Sequence, residues 1–132
     1  MSYQQEVFEK FADFRKPAKF PIYPPHHKGP YLEEYFCNFY MDADFKTDKD
    51  YIPILWTHCY NDGCDWKKLQ QLLDELDPSY SYFTVMTHDD APRERMPKNT
   101  ICFSGGGLAG NVPIPLICSG FENVIQKERD IF

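Results

Sequence analysis

The chain has 132 residues and a formal net charge of −6, and 42% of its residues are hydrophobic and 17% aromatic. This length suits one compact domain, and the apolar content predicts a folded core rather than a disordered chain. The acidic balance argues against nonspecific binding to nucleic acid or anionic membranes, since both need concentrated Lys and Arg. No apolar run is long enough to span a bilayer, and residues 1–11 lack the pattern of a signal peptide. A cytoplasmic protein is expected.

The cysteines point to a reducing compartment and not to a metal. There are five of them, an odd number with no regular spacing. Cys37, Cys102 and Cys118 lie in apolar stretches, where a reduced cysteine acts as a small hydrophobe. The spacing of Cys59 and Cys64 relative to the histidines matches no zinc finger or knuckle, so no metal ion is expected.

Residues 1–30 are expected to form a helical arm followed by a proline-rich wrap. Val7, Phe8, Phe11 and Phe14 fall on one face of a helix over residues 4–14. Residues 17–30 carry five prolines and should run in extended and turn conformations. Residues 31–132 are expected to be the core of the same single domain.

Two helices are predicted within that core. The first covers residues 31–41, where apolar positions recur at helical spacing and Glu33 and Glu34 in the first turn favour the helix dipole. Its apolar positions are Leu32, Tyr35, Phe36, Phe39 and Tyr40. The second begins at residue 65, and Pro78 ends it. Its apolar face consists of Trp66, Leu69, Leu72, Leu73 and Leu76.

Four apolar runs predict strands. They are "YIPILWTH" at 51–58, "YSYFTVMT" at 80–87, "TICFS" at 100–104 and "VPIPLIC" at 112–118. The order of strand, helix and further strands predicts an α/β domain with a mostly parallel sheet. Pro113 and Pro115 are two residues apart, so both missing N–H groups would fall on one side, which suits an edge strand.

Three polar segments follow the first three predicted strands and would form one rim. They are "THCYND" (57–62), "THDD" (87–90) and "SGGG" (104–107), and we call them together the carboxyl-end rim. Open α/β sheets bind ligands outside the carboxyl ends of their strands. In the third segment Ser104 precedes Gly105, Gly106 and Gly107, which let a ligand approach the backbone. A flexible turn is the favoured interpretation of these glycines, because the segment lacks the residues of a phosphate loop and the spaced glycines of a dinucleotide-binding motif.

The residue types of the rim indicate a candidate general base and a class of ligand. His88, Asp89 or Asp90 is a candidate general base for a hydroxyl nucleophile, although an Asp-capped turn before Pro92 is an equally good interpretation. Aromatic faces stack on sugar rings, and Asp, Asn and His bind hydroxyl groups. The rim therefore suits a neutral polyhydroxylated ligand better than a phosphate.

The order of several blocks resembles the N-terminal half of exostosin-like glycosyltransferases. These blocks are "GPYLEEYFCNFY", "YIPILWTHCYND", "LDELDPSYSYFTVMTHDDAPRERMPKNTICFSGGG", "VPIPLI" and "KERDIF", which together span residues 29–132. The resemblance implies a Rossmann-like three-layer domain, one half of a two-domain inverting enzyme. In that family the N-terminal domain holds the glycan acceptor, and the C-terminal domain binds the nucleotide sugar.

The resemblance also implies a division of functions between two domains. It implies a domain that needs no cofactor of its own and a donor-binding domain, or partner chain, beyond residue 132. By itself the acceptor-side domain should show little transfer, because it cannot orient both reactants. The family pattern identifies no base at these positions. From the rim alone, His88, Asp89 or Asp90 would be the base in the complete enzyme, and Thr57, His58 and Asp62 would contact the acceptor.

Two further functions fit the same sequence. The rim could bind a glycan or a partner protein without any chemistry, as a stand-alone module. Alternatively, His58, His88, Asp89 and Asp90 could serve a small metal-dependent hydrolase.

Overall fold

The computed structural model describes residues 2–16, 32–43, 47–88, 92–105 and 112–114. The proline-rich segment 17–30 lies outside these ranges. In chain order the elements are α1 (Tyr3–Lys10), a 3₁₀ turn (Ala12–Phe14), α2 (Leu32–Asp42), β1 (Asp50–Tyr51), α3 (Trp56–Asp62), α4 (Trp66–Asp74), β2 (Tyr82–Met86), β3 (Thr100–Ser104) and β4 (Val112–Pro113). None of the helices within the described ranges is long and apolar enough to cross a bilayer.

The four strands form one parallel sheet in the order β1-β2-β3-β4. This confirms the prediction of an α/β domain with a parallel sheet. Strand β4 lies at one end of that order, and Ile114 N–H donates to the Ser104 carbonyl at 2.9 Å. Because N–H groups alternate sides along a strand, the missing N–H of Pro113 faces away from β3. Among the described strands Pro113 therefore has the edge position that was predicted, while Pro115 lies outside the described residues.

The predicted strand over residues 51–58 is wrong beyond Tyr51. The Ile52 N–H still donates to the Phe83 carbonyl at 2.8 Å, but the buried residues 53–55 leave the sheet, and helix α3 then begins at Trp56. Pro53 lacks a ladder donor, and the Ile54 N–H turns back to the Ile52 carbonyl at 3.0 Å. The apolar run correctly predicted that these residues are buried, but it wrongly predicted that they form a strand. As a result, the segment 57–62 is a helix and not a loop at a strand end, and Gly63 ends it with a φ of +78° that favours glycine.

The sheet separates two cores. On one face α1, α3 and α4 cover a cluster that includes Phe11, Trp56, Leu69 and Met86. On the other face α2 packs on a second cluster, made of Cys37, Tyr40, Tyr51, Leu55, Phe83 and Val85. Residues 82 and 86 point into the first cluster and residues 83 and 85 into the second, as the period of two in a strand requires.

Helix α2 presents a different face from the predicted one. Its buried side chains are Glu33, Cys37 and Tyr40, whereas Tyr35 and Phe39 are 58% and 52% exposed. The spacing of the aromatic residues therefore predicted the position of the helix correctly but not its buried face. It also did not predict that Glu33 is buried.

Helix α1 is docked in the core and closes the free edge of β1. The Gln4 side chain donates to the Tyr51 carbonyl at 2.8 Å and accepts from the Tyr51 N–H at 2.6 Å. The Tyr51 N–H and carbonyl point away from β2, because the hydrogen bonds from β1 to β2 use the N–H groups of residues 50 and 52. The Gln4 amide thus takes the place of a neighbouring strand and protects the edge.

Candidate functional site

A buried glutamate joins two of the three rim segments. Glu33 is only 2% exposed and lies in the first turn of α2. Its Oε1 accepts from the Thr57 N–H at 2.8 Å, and its Oε2 accepts from the Thr57 hydroxyl at 2.8 Å and the Thr87 N–H at 2.6 Å. The Thr87 hydroxyl also reaches Oε2 at 3.0 Å. These bonds offset the cost of burying the carboxyl group.

The Glu33 carboxylate also caps the N-terminus of helix α3. Leu55 occupies the N-cap position and has no side-chain acceptor for the first free N–H groups. Glu33 supplies that acceptor from another helix, and its negative charge is favourable beside the N-terminal end of the dipole. The hydroxyl oxygens of Thr57 and Thr87 consequently lie 3.0 Å apart at the carboxyl end of β2.

His58, the residue after Thr57, is also buried. Its Nε2 is 3.8 Å from Glu34 Oε2, and its Nδ1 is 3.4 Å from the carbonyl oxygen of Lys16. Both ring nitrogens therefore have protein groups nearby, and the side chain is 8% exposed. Thr57 and His58, which the sequence suggested as acceptor contacts, are in this structure tied to protein partners.

The outer part of the rim is built around Tyr60. The rings of Tyr60 and His88 stack at 4.7 Å with an interplanar angle of 17°. The Arg93 guanidinium carbon lies 5.3 Å from the centroid of the Tyr60 ring, and the Arg93 N–H donates to the Tyr60 hydroxyl at 2.9 Å. That hydroxyl in turn donates to Glu94 Oε2 at 3.3 Å. An aromatic ring, an imidazole, a cation and an acid thus meet at one place.

Burial keeps the phenol and the nearby thiols protonated. It raises the pKa of Tyr60 to about 12, although the hydrogen bond from the Arg93 N–H acts in the opposite direction. Burial also raises the pKa of Cys59 far above its ordinary value, and the neighbouring Cys64 adds to this rise. Burial likewise raises the pKa of Cys64. At neutral pH Tyr60 is therefore a neutral hydrogen-bonding group, and neither thiol is a nucleophile.

The third rim segment begins where β3 ends. Ser104 is the last residue of β3 and is buried, and the Gly105 N–H donates to the Met86 carbonyl at 3.0 Å. Because β2 and β3 are paired in parallel from Tyr82 with Thr100 to Met86 with Ser104, their carboxyl ends are adjacent. Asp62 is partly exposed in the last turn of α3. Asp89, Asp90, Gly106 and Gly107 lie outside the described residues.

The structure adds Glu33, Glu34, Arg93 and Glu94 to the rim, and within the segment 57–62 it gives Tyr60 a central position for which the sequence did not single it out. A signal for Glu33 existed, because it precedes Cys37 by four residues and Tyr40 by seven and so shares their face. An acid aligned with a buried helical face requires a polar partner. Tyr60, Arg93 and Glu94 carried no comparable signal, since their proximity depends on the path of the loop after β2.

Within the described part of the chain, no three His, Cys, Asp or Glu side chains are grouped to hold a metal ion. Comparisons with protein-family models, with curated protein sequences and with solved structures give no match to this chain. The resemblance to exostosin-like glycosyltransferases therefore depends on the sequence blocks alone.

Proposed function

We propose that this chain is the acceptor-side domain of an exostosin-like glycosyltransferase and that its carboxyl-end rim binds a glycan hydroxyl. The observation that carries the proposal is the contact between Thr57 and Thr87, whose hydroxyl oxygens are 3.0 Å apart. Two polar segments that are 30 residues apart in sequence meet there, at the edge where parallel sheets bind ligands.

The chemistry around Tyr60 suits a neutral ligand rich in hydroxyl groups. The imidazole of His88 and the carboxylate of Glu94 can exchange hydrogen bonds with sugar hydroxyls, and Arg93 can donate to their oxygens. In the proposed reaction His88, Asp89 or Asp90 takes the proton of the acceptor hydroxyl as its oxygen attacks the anomeric carbon of the donor. The nucleotide leaves from the opposite face, which inverts the configuration.

Transfer also requires groups that bind the nucleotide sugar. We assign these to a donor-binding domain or partner chain, as the sequence resemblance implies. The 132-residue chain should then bind acceptor glycans and transfer no sugar when it is supplied with nucleotide sugars alone. Transfer by the purified chain would contradict this division of roles.

Binding to a glycan array tests the proposal directly. The labelled chain should retain a defined set of neutral glycans, and His88→Ala should reduce that signal at least tenfold. Asn99→Ala is the control, because Asn99 is an exposed residue that precedes β3 at the opposite edge of the sheet. Equal loss in both variants, or no glycan bound by the wild type, would refute the proposed site.

A stand-alone glycan-binding module is the second candidate, and the same rim geometry supports it. The two candidates differ in one respect. Addition of a donor-binding partner should produce sugar transfer in the first case, with loss of activity in His88→Ala, and glycan binding without transfer in the second.

A further inference from the structure

Helix α2 has an apolar side that faces away from the sheet. Among the described residues five large apolar side chains are exposed, and three of them, Tyr35, Phe39 and Met41, lie on this one helix. Tyr35 and Phe39 are about one helical turn apart, and each is more than half exposed. A helix that is apolar on several sides is normally buried on several sides, and clustered exposed apolar groups mark an interaction surface.

An apolar groove of about 660 Å³ lies directly beside this exposed side of α2. Phe36 and Tyr40 pack against Tyr51 of β1 and Phe83 of β2, with ring centroids between 5.2 and 6.1 Å apart, so α2 itself lies over these two strands. The groove continues from α2 toward β3 on the same face of the sheet. Its apolar lining consists of Leu32, Phe36, Tyr40, Phe83, Val85, Ile101, Phe103 and Ile114.

The wall of the groove and the exposed side of α2 together have the spacing of a helix–helix seam. Leu32, Phe36, Phe39 and Ala43 follow one another at intervals of four, three and four residues, which is the spacing of the a and d positions in a coiled coil. The Ala43 N–H donates to the Phe39 carbonyl at 3.0 Å, so the helical path reaches Ala43. All four side chains are uncharged and apolar. The seam therefore fits the apolar face of another helix better than it fits a polar ligand.

We propose that this seam binds the same seam of a second copy of the chain, with the two α2 helices antiparallel. The other described helices, α1, α3 and α4, contribute buried apolar side chains to the cluster on the opposite face of the sheet, for example Val7, Trp56 and Leu69. Within the described part of the chain α2 is thus the helix that still offers an apolar face, and a second copy supplies an identical one. A two-fold axis makes such a surface self-complementary, because the protruding side chains of each copy meet the groove of the other.

The antiparallel arrangement specifies which residues meet. In an antiparallel pair of identical seams each a position faces a d position. Phe39 of each chain then lies against the partner subunit's Phe36 and enters the partner's groove, and Leu32 lies against the partner subunit's Ala43. The opposed helix dipoles favour this orientation over a parallel one. Aromatic side chains at the centre of the contact are typical of protein interfaces.

Sedimentation velocity of the full chain over a range of concentrations tests the proposal. The mass of 15.6 kDa should approach twice that value as the concentration rises. Phe39→Asp should stay monomeric throughout, because it buries an unpaired charge at the centre of the contact. Asn38→Asp is the matched control, since Asn38 is an exposed neighbour outside the seam, and this variant should dimerise like the wild type. A wild type that stays monomeric at every concentration, or equal dimerisation of the two variants, would overturn the proposal.

Isotope-filtered NMR on the wild type tests the same contact without any substitution. In a mixture of ¹³C-labelled and unlabelled chains, cross-peaks between chains should join the methyl groups of Leu32 to that of Ala43. Cross-peaks between chains that involve only residues outside the seam would show a different interface and refute this one. Neither measurement uses a glycan, so this proposal and the proposed function can fail separately.

Discussion

The Oε1 atom of Glu33 accepts a hydrogen bond from the backbone N–H of Thr57 at 2.8 Å, although the two residues belong to different helices. This bond couples the first turn of α2 to the first turn of α3, where Leu55 offers no side-chain cap. A buried carboxylate thereby fixes the point at which the chain enters the carboxyl-end rim, and it holds Thr87 at the end of β2 in the same way.

Replacement of Glu33 by Gln should destabilise the domain by about 1–3 kcal/mol, because the amide group turns a donor toward an N–H or hydroxyl that needs an acceptor. Urea unfolding measures the change. Glu34→Gln is the control, since Glu34 is the adjacent and more exposed acid and only approaches His58 at 3.8 Å. A loss of stability as large in Glu34→Gln as in Glu33→Gln would show that the four bonds to Glu33 are not the cause.

Replacement of Gln4 by Glu should destabilise the domain by about 1–3 kcal/mol, because an oxygen would then face the Tyr51 carbonyl that now accepts a bond at 2.8 Å. The shape of the side chain stays the same, so packing of α1 is not disturbed. Glu9→Gln, at an exposed position of the same helix, should change stability very little. If Gln4→Glu unfolds at the wild-type urea concentration, the Gln4 amide does not protect the edge of β1.

Asp50 gives a prediction for pH. Burial raises the pKa of Asp50 above its ordinary value, so the folded state binds this proton more tightly than the unfolded state. The stability that it contributes is complete below the ordinary pKa of about 3.9 and is lost as the pH rises through the raised pKa. Asp50→Asn should therefore be more stable than the wild type at neutral pH, and this advantage should vanish in acid. Thermal unfolding of both proteins at neutral and at acidic pH tests this prediction. A stability gain of Asp50→Asn in acid alone would contradict it.

The sequence predicted those parts of the fold that depend on local pattern. The strands Tyr82–Met86 and Thr100–Ser104 and the helix Trp66–Asp74 lie within the expected segments, because their apolar spacing matches one regular structure. The predicted strand over residues 51–58 was wrong. An unbroken apolar run indicates only that its residues are buried on all sides, and a buried turn followed by the start of a helix has the same pattern.

The candidate site was predictable only in outline. Residues near 57 and 87 were expected to meet because both were placed at strand ends. Thr57 and Thr87 do lie in contact, although Thr57 is in the first turn of α3 and not at the end of a strand. That Glu33 would hold them required the relative placement of α2 and α3, which no local pattern contains. The stack of Tyr60 on His88 likewise depends on the helix that replaced the predicted strand end.

Amide chemical-shift mapping can show whether the carboxyl-end rim is the ligand-binding face. A ¹⁵N-labelled sample of the chain would be titrated with a panel of neutral oligosaccharides. We expect shifts at residues 57–62, 87–88 and 104–105, with little change at the opposite edge, where Ser81 and Asn99 lie. Shifts confined to that opposite edge, or no shift with any oligosaccharide, would contradict this expectation.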